Sequence, residues 1–384
     1  MHSALPLITL GTAVSRPGTI QTGQWNIFTH PTGLVEWLPV IIAQGREPGP
    51  TIWLTAGIHG PEHSGPTILY RLLTDELVAD LKGTIVAIPA LTPSGLRTGS
   101  YVPYHEPKNP NRYWPDGRDK PHKDPEKRPP TILEEGFARL FKEIQATADY
   151  LIDFHNAGIG SIPFVFRDRV LYQPGKTEAE TEAAQAEAQA LSDTLGEMID
   201  AFGFTVINEF PVEKYVDQDL HRSTSGAALL VGRVPAFTVE LGVGPVPEMA
   251  ITTAGIVATR NVLRWAGMLD SDPEPITTIK RLEPGYVVRR TEAVRCPESC
   301  ILLPRVDAGD MVQVDDVLAD MVDIWGKPLG AGVLTSPYDG FVWTRPHGIY
   351  TYPGQTAVGM AIRDDKPLIG PYPDDFFKDD EAPI

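Results

Sequence analysis

The sequence predicts an α/β domain followed by a smaller all-β region. Short, nearly continuous apolar runs, TIWLTA (51–56), TIVAIPA (84–90), DYLIDFH (149–155), FTVINEF (204–210) and PAFTVELG (235–242), read as strands covered on both faces. Segments of helical spacing separate them, which is the pattern of a largely parallel sheet. After about residue 270 helical spacing stops, and only short β runs between turns remain.

Residues 1–50 are turn-rich with alternating runs such as LPVIIA (38–43), an N-terminal β-meander. After TIWLTA and the loop GIHGPEHSGP, the spacing of Ile68, Leu69, Leu72, Leu73, Leu77 and Leu81 predicts a helix closed by Gly83. Residues 92–130 form a long loop rich in proline and charge, a length that marks function or disorder inside a compact domain. Leu133, Phe137, Leu140, Phe141 and Ile144 predict a helix over 131–149, and 176–202, rich in Glu, Ala and Gln, reads as a solvent-facing helix. DSDPEP (270–275) reads as a linker, so the expected division is an α/β domain at 1–270 and a β domain at 271–384. In the latter, SCILLPRV, MVQVDDVLADMV, GFVWTRP and QTAVGMAI are β runs, and the acidic tail from 363 is expected to be loosely held.

The composition is that of an ordinary globular chain, 42% apolar and 22% charged over 384 residues, which excludes fibrous and long disordered classes. Lys+Arg 33 against Asp+Glu 50 gives a net charge of −17, whose mean field repels a phosphate backbone, so no nucleic-acid partner is expected. No run of about 18 apolar residues occurs, so no membrane span is expected. The N-terminal stretch lacks the basic leader and apolar core of a signal peptide. Two cysteines, Cys296 and Cys300, make neither a disulfide framework nor a zinc site, and point to a cytoplasmic address.

Three segments place polar residues where an apolar strand ends, the position at which open α/β sheets build their sites. They are His59-Gly60-Pro61-Glu62, Asp153-Phe154-His155-Asn156 and Val239-Glu240-Leu241-Gly242. His59 and Glu62 alone fit a loop-capping pair as well as a metal pair. Strand alternation puts Asp153 and His155 on one face, with Phe154 on the other. A carboxylate beside a ligating imidazole fixes its tautomer, and two His with one Glu form a catalytic zinc set. His155 also fits a strand-end histidine bonded only to its neighbour. Glu240, ending an apolar strand, needs water, a partner or a metal, and near a metal it suits a general base. Arg97, Asn111 and Arg112 lie in the 92–130 loop, where an Arg with an adjacent Asn can grip a carboxylate and another Arg can meet an oxyanion. The same arginines fit a solvated loop.

HGPE, PNR after a PSG turn, DFH and VELG, in that order, resemble the succinylglutamate desuccinylase/aspartoacylase family of the zinc carboxypeptidase superfamily. The resemblance spans residues 51–242, and the β runs after 270 are similar to the family's C-terminal domain of barrel-sandwich type. It implies a mixed sheet flanked by helices and one Zn2+ per chain held by His59, Glu62 and His155. It further implies Glu240 as catalytic carboxylate and Asn111 with Arg112 as the substrate-carboxylate grip. The family's oxyanion arginine is expected near Ser100 and Tyr101, and Arg97 is the nearest candidate. The usual Asp before the Asn-Arg pair is replaced by Asn109-Pro110. The implied activity is hydrolysis of the amide of a small N-acyl amino acid, with a homo-oligomer as a possible assembly. Alternatives are a metallocarboxypeptidase that trims a peptide or γ-glutamyl group, and an inactive binding protein. Lys327, in DIWGKPLG, lacks the context of a carrier lysine, so the β domain is expected to act as a lid or an oligomer contact.

Overall fold

The computed structural model describes residues 7–118, 129–158, 160–242, 244–345 and 348–377. The part of the long loop at 119–128 lies outside the described residues. The central sheet is mixed. From one edge its strands run Thr19–Thr29, Val35–Gln44, Lys82–Ile88, Glu47–Ala56, Tyr150–His155, Ala236–Leu241, Pro163–Arg167 and Thr205–Asn208. The four strands in the middle are parallel, Thr19–Thr29 and Val35–Gln44 form an antiparallel edge, and Pro163–Arg167 runs against Ala236–Leu241. The expectation of a largely parallel sheet is corrected to that extent.

Helices cover this sheet. Ile132–Thr147 and Glu178–Phe202 each open on a capping box, Thr131 with Glu134 and Thr177 with Glu180, which satisfies two free N–H groups at each start. The second is a long surface helix, yet Leu191, Leu195, Met198, Ile199 and Phe202 line one buried stripe. It packs against Met249–Trp265, which also meets Ser64–Leu72. The single helix expected over 68–81 is two, Ser64–Leu72 and Asp75–Asp80, because the Thr74 hydroxyl accepts from Leu77 N (3.3 Å) and starts a second helix. Gly83 belongs to the strand Lys82–Ile88, not to a helix cap. The PSG turn opens a helix, Pro93–Thr98, and PNR forms a 3-10 turn, Pro110–Arg112.

Beyond 270 the described chain holds strands, turns and irregular segments and no helix. Cys300–Pro304, Val317–Val322 and Pro328–Thr335 form an antiparallel ladder with Tyr350–Thr351 at its far edge. Val288–Arg290, Thr356–Arg363, Gly340–Thr344 and Met311–Val312 instead extend the central sheet, through the pairing of Asn208 with Arg289. Phe164, Phe166, Ile207, Val288, Phe341 and Ala361 make a shared apolar cluster at this junction. The tail is not loose over its described part. Ile369–Pro371 pairs in parallel with Val170–Tyr172, and Phe376 is 1% exposed.

Candidate metal centre and cavity

His59 and Glu62 sit on the loop that leaves the strand Glu47–Ala56. Gly60 N donates to Ser100 O (3.1 Å), and a Cβ at Gly60 would collide with the Gly95 and Ser100 carbonyls. Only glycine lets this loop seat against the 95–100 turn. The strand Tyr150–His155 ends alongside. Its Phe154 faces Gly65, where a Cβ would come within 2.6 Å of the Phe154 Cβ, so Asp153 and His155 face the other way. Glu240 lies in register with His155, and Thr238 with Asp153, on the adjacent parallel strand. The carboxylate and the imidazole are therefore side by side on one face.

The three candidate ligands are buried, and one donor atom from each lies within 4.8 Å of the others. His59 Nδ1 is 2.8 Å from Glu62 Oε1, and His155 Nδ1 is 3.0 Å from Glu62 Oε2. The opposite ring nitrogens face oxygens: His59 Nε2 is 2.9 Å from Asn109 Oδ1, and His155 Nε2 is 2.7 Å from Asp153 Oδ2. Asn109 Oδ1 also accepts from Asn111 N (2.8 Å), which fixes that oxygen as an acceptor. Each ring thus turns its Nε2 edge to a fixed oxygen and its Nδ1 edge toward Glu62. Burial pushes the Glu62 carboxyl up, but His59 and His155 outweigh it and hold it at about 2. Burial opposes charge on His155, yet Asp153 and Glu62 raise its pKa well above the usual histidine value. The site stabilises positive charge, and two imidazole nitrogens with one carboxylate oxygen suit a divalent cation such as zinc.

These groups line a cavity of about 320 Å³. Glu240 lines it with Oε2 free of any hydrogen bond among the described residues, and burial, with His155 opposing and Glu62 adding, pushes its carboxyl up to about 7. Arg112 also lines it. Arg112 Nε donates to Gln218 O (2.9 Å) and Nη1 to Asn111 O (2.6 Å). The Asn111 side-chain oxygen Oδ1 accepts from Thr224 N (2.9 Å) and Oγ1 (3.1 Å), and its Nδ2 lies 3.4 Å from His155 Nε2.

The structure thus gathers His59, Glu62, His155, Asn111, Arg112 and Glu240 and leaves Arg97 out. The helix Pro93–Thr98 turns Arg97 toward Glu36, with Nη2 2.8 Å from Glu36 Oε2 and a side chain 58% exposed. Its expected oxyanion role is corrected on that ground. Tyr101 stands at the cavity instead, stacked on His59 at 3.8 Å between ring centres. The sequence reading also missed Asp168, Glu209, Arg290 and Trp343, all of which line the cavity. Asp168 and Glu209 each follow directly on a strand, so the strand-end rule that found Glu240 would have found them. Arg290 and Trp343 come from the region beyond 270, whose short β runs carry no such signal.

An α/β sheet with a buried His-Glu-His set at its strand ends and a carboxylate beside it defines a protein with a candidate metal-hydrolase centre. The succinylglutamate desuccinylase/aspartoacylase catalytic domain model matches residues 48–265, and the chain belongs to that family. It is 26% identical over 171 residues to N-alpha-acetyl-L-2,4-diaminobutyric acid deacetylase from Halomonas elongata, a match covering 41% of this chain and 46% of that protein. The chain therefore spans about half the length of that relative. Among solved structures it resembles a succinylglutamate desuccinylase/aspartoacylase from Rhodobacter sphaeroides, with TM-score 0.68, 18% identity, and 90% and 96% of the two chains covered. It also resembles the product-bound ectoine utilization protein EutE (DoeB) from Ruegeria pomeroyi, with TM-score 0.67, 19% identity, and 94% and 98% covered. These likenesses place the fold, including the β-rich region after 270. Among the described residues no helix is long and apolar enough to cross a membrane.

Proposed function

We propose that this chain is a zinc-dependent deacylase that hydrolyses the amide bond of a small N-acyl amino acid. The observation that carries this reading is the His59–Glu62–His155 set, with both Nδ1 atoms turned inward and Glu240 in register with His155. The name of the Halomonas elongata relative supports the substrate class. Bound by these three residues, zinc supplies Lewis acidity, lowering the pKa of a water toward ~7 and polarising the scissile carbonyl. Glu240 takes the water's proton on its carboxylate and returns it to the leaving nitrogen, giving a free acid and a free amine. Arg112, half-buried and with Nη2 free of hydrogen bonds among the described residues, grips the substrate carboxylate, and Asn111 holds that arginine's turn in place. Tyr101 takes the place of Arg97. Its phenol O–H is protonated at neutral pH and can donate to the developing oxyanion.

In this reading residues 1–270 supply the metal centre and 271–384 supply one wall of the cavity. The free thiols of Cys296 and Cys300 fit a reducing, cytoplasmic setting. The test is a metal assay joined to a product screen. Purified protein is expected to hold one zinc per chain and to release a free carboxylic acid from N-acyl amino acids. Chelation should abolish that release, and added zinc should restore it. Release of a C-terminal amino acid from peptides instead would favour carboxypeptidase trimming. Absence of metal and turnover would overturn the reading.

A further inference from the structure

Three strand ends share one arrangement. Asp168 and Arg169 follow the strand Pro163–Arg167, Asn208 closes Thr205–Asn208 with Glu209 next to it, and Arg289 and Arg290 close Val288–Arg290. One residue of each pair lines the cavity: Asp168, Glu209 and Arg290. Successive side chains of an extended chain take opposite faces, and the other three side chains all reach Asp364. Asn208 Nδ2 donates to Asp364 Oδ2 (2.7 Å), Arg169 Nη2 donates to both carboxylate oxygens (3.1 and 3.0 Å), and Arg289 Nε lies 3.7 Å from Oδ1. Asp364 follows the strand Thr356–Arg363, and its side chain is 1% exposed. Arg169 also fixes the chain around Glu209, donating from Nη2 to Glu209 O (3.0 Å) and from Nε to Phe210 O (2.7 Å). On the cavity side the same residues are joined again, Glu209 Oε1 accepting from Arg290 Nη1 (2.9 Å) and Asp168 Oδ2 from Ser225 Oγ (2.8 Å). One buried carboxylate, itself not a lining residue, thus holds the chain behind three charges of the cavity wall.

We propose that Asp364 is a positioning residue for substrate recognition: through Arg169, Asn208 and Arg289 it sets where Asp168, Glu209 and Arg290 stand, and so how tightly the cavity holds its substrate. The inference rests on the deacylase reading above and makes the chain after 270 set the shape of the wall as well as supply part of it. Asp364 is the carboxylate within ion-pair distance of the fully buried Arg169 among the described residues, and it stands between that guanidinium and the one on Arg289. Without its charge the two cations repel, and a buried cation left unpaired is driven out of place. Each carries its neighbour in the chain with it, and those neighbours are Asp168 and Arg290. The metal set is built on other elements, the loop after Glu47–Ala56 and the end of Tyr150–His155, so its geometry does not depend on Asp364. The effect therefore falls on substrate binding, with the metal and the proton carrier left in place.

Two variants test this in the full-length, zinc-loaded protein. Asp364→Asn keeps the size and removes the charge, and Asn208→Ala removes one bond to Asp364 while leaving both arginines paired. Kinetics use the N-acetyl amino acid that the wild type hydrolyses fastest in the product screen. Both variants are expected to hold one zinc per chain and to keep kcat close to wild type. KM should rise by roughly tenfold in Asn208→Ala, the size of one lost buried hydrogen bond, and by more in Asp364→Asn. Should Asp364→Asn fail to fold, Asn208→Ala decides. A crystal structure of Asn208→Ala gives a second measure that needs no turnover: Glu209 and Arg290 should leave their 2.9 Å contact. An unmoved Glu209–Arg290 pair, an unchanged KM, or a fall in kcat that tracks lost zinc would overturn the positioning role and leave the deacylase reading intact. A displaced pair in a protein whose wild type releases no acid from any N-acyl amino acid would overturn the deacylase reading and leave the hold of Asp364 on the wall standing.

Discussion

Glu62 and Glu240 are carboxylates in one cavity held at opposite ends of the scale. Burial acts on both, but Glu62 has two imidazoles against it and stays at about 2, while Glu240 has one nearby and rises to about 7. Such a separation supports the roles proposed above, an ionised ligand for Glu62 and a proton carrier for Glu240. Glu240→Gln keeps size and most polarity but removes the proton site. It is expected to retain one zinc per chain while kcat falls by roughly 10²–10⁴-fold, the usual contribution of a positioned general base. Full activity in a zinc-replete Glu240→Gln protein would remove Glu240 from the mechanism. Strand period two made Asp153 and His155 legible as one face, while the register of the neighbouring strand, which brings Glu240 beside His155, is tertiary. Arg97 was misplaced for a matching reason. It lies on the six-residue helix Pro93–Thr98, too short for apolar spacing to announce which way a side chain points.

The HGPE loop and the 95–100 turn act as one element, joined by the Gly60 N to Ser100 O bond and by the absence of a Cβ at Gly60. Gly60→Ala would force these carbonyls away and carry His59 and Glu62 out of register with His155. The expected result is loss of bound zinc with far-UV circular dichroism unchanged, since the collision is local to two loops. A zinc-replete Gly60→Ala protein would show that the loop tolerates the side chain. At this scale the sequence was uneven. Thr131 and Thr177 announce their helices through capping boxes, and both were found close to their ends. Met249–Trp265 was missed because ITTAGIVATRNV is rich in β-branched residues, which favour strands in isolation. Tertiary packing decides it, with Ala254, Gly255 and Ala258 buried where the helix meets its neighbours.

The whole molecule is closed by long-range contacts of a kind no local pattern announces. The central sheet continues past residue 270 through a single register pair, Asn208 with Arg289, and that continuation brings Arg290 to the cavity. The tail then returns across the surface, and Phe376 packs against His221 at 5.2 Å between ring centres and lies under Arg118 at 4.2 Å. His221 is 3% exposed, and neither ring nitrogen has a hydrogen-bond partner among the described residues. Burial, with Arg118, Arg222 and Arg112 adding to it against Asp116, lowers its pKa from 6.5 to about 3. The folded state therefore keeps this imidazole neutral at a pH where the unfolded chain protonates it. Between about 6.5 and about 3 the unfolded state binds the extra proton, so stability falls as the pH falls through that window and is fully present above it. From pH 7 to pH 5 this one residue should remove about 2 kcal/mol. His221→Phe, which keeps an aromatic ring against Phe376 and cannot titrate, should lose less stability over the same interval by that amount. Urea midpoints of wild type and variant at pH 7 and pH 5 check it, and parallel losses in the two proteins would show that this contact does not carry the acid sensitivity of the closed tail.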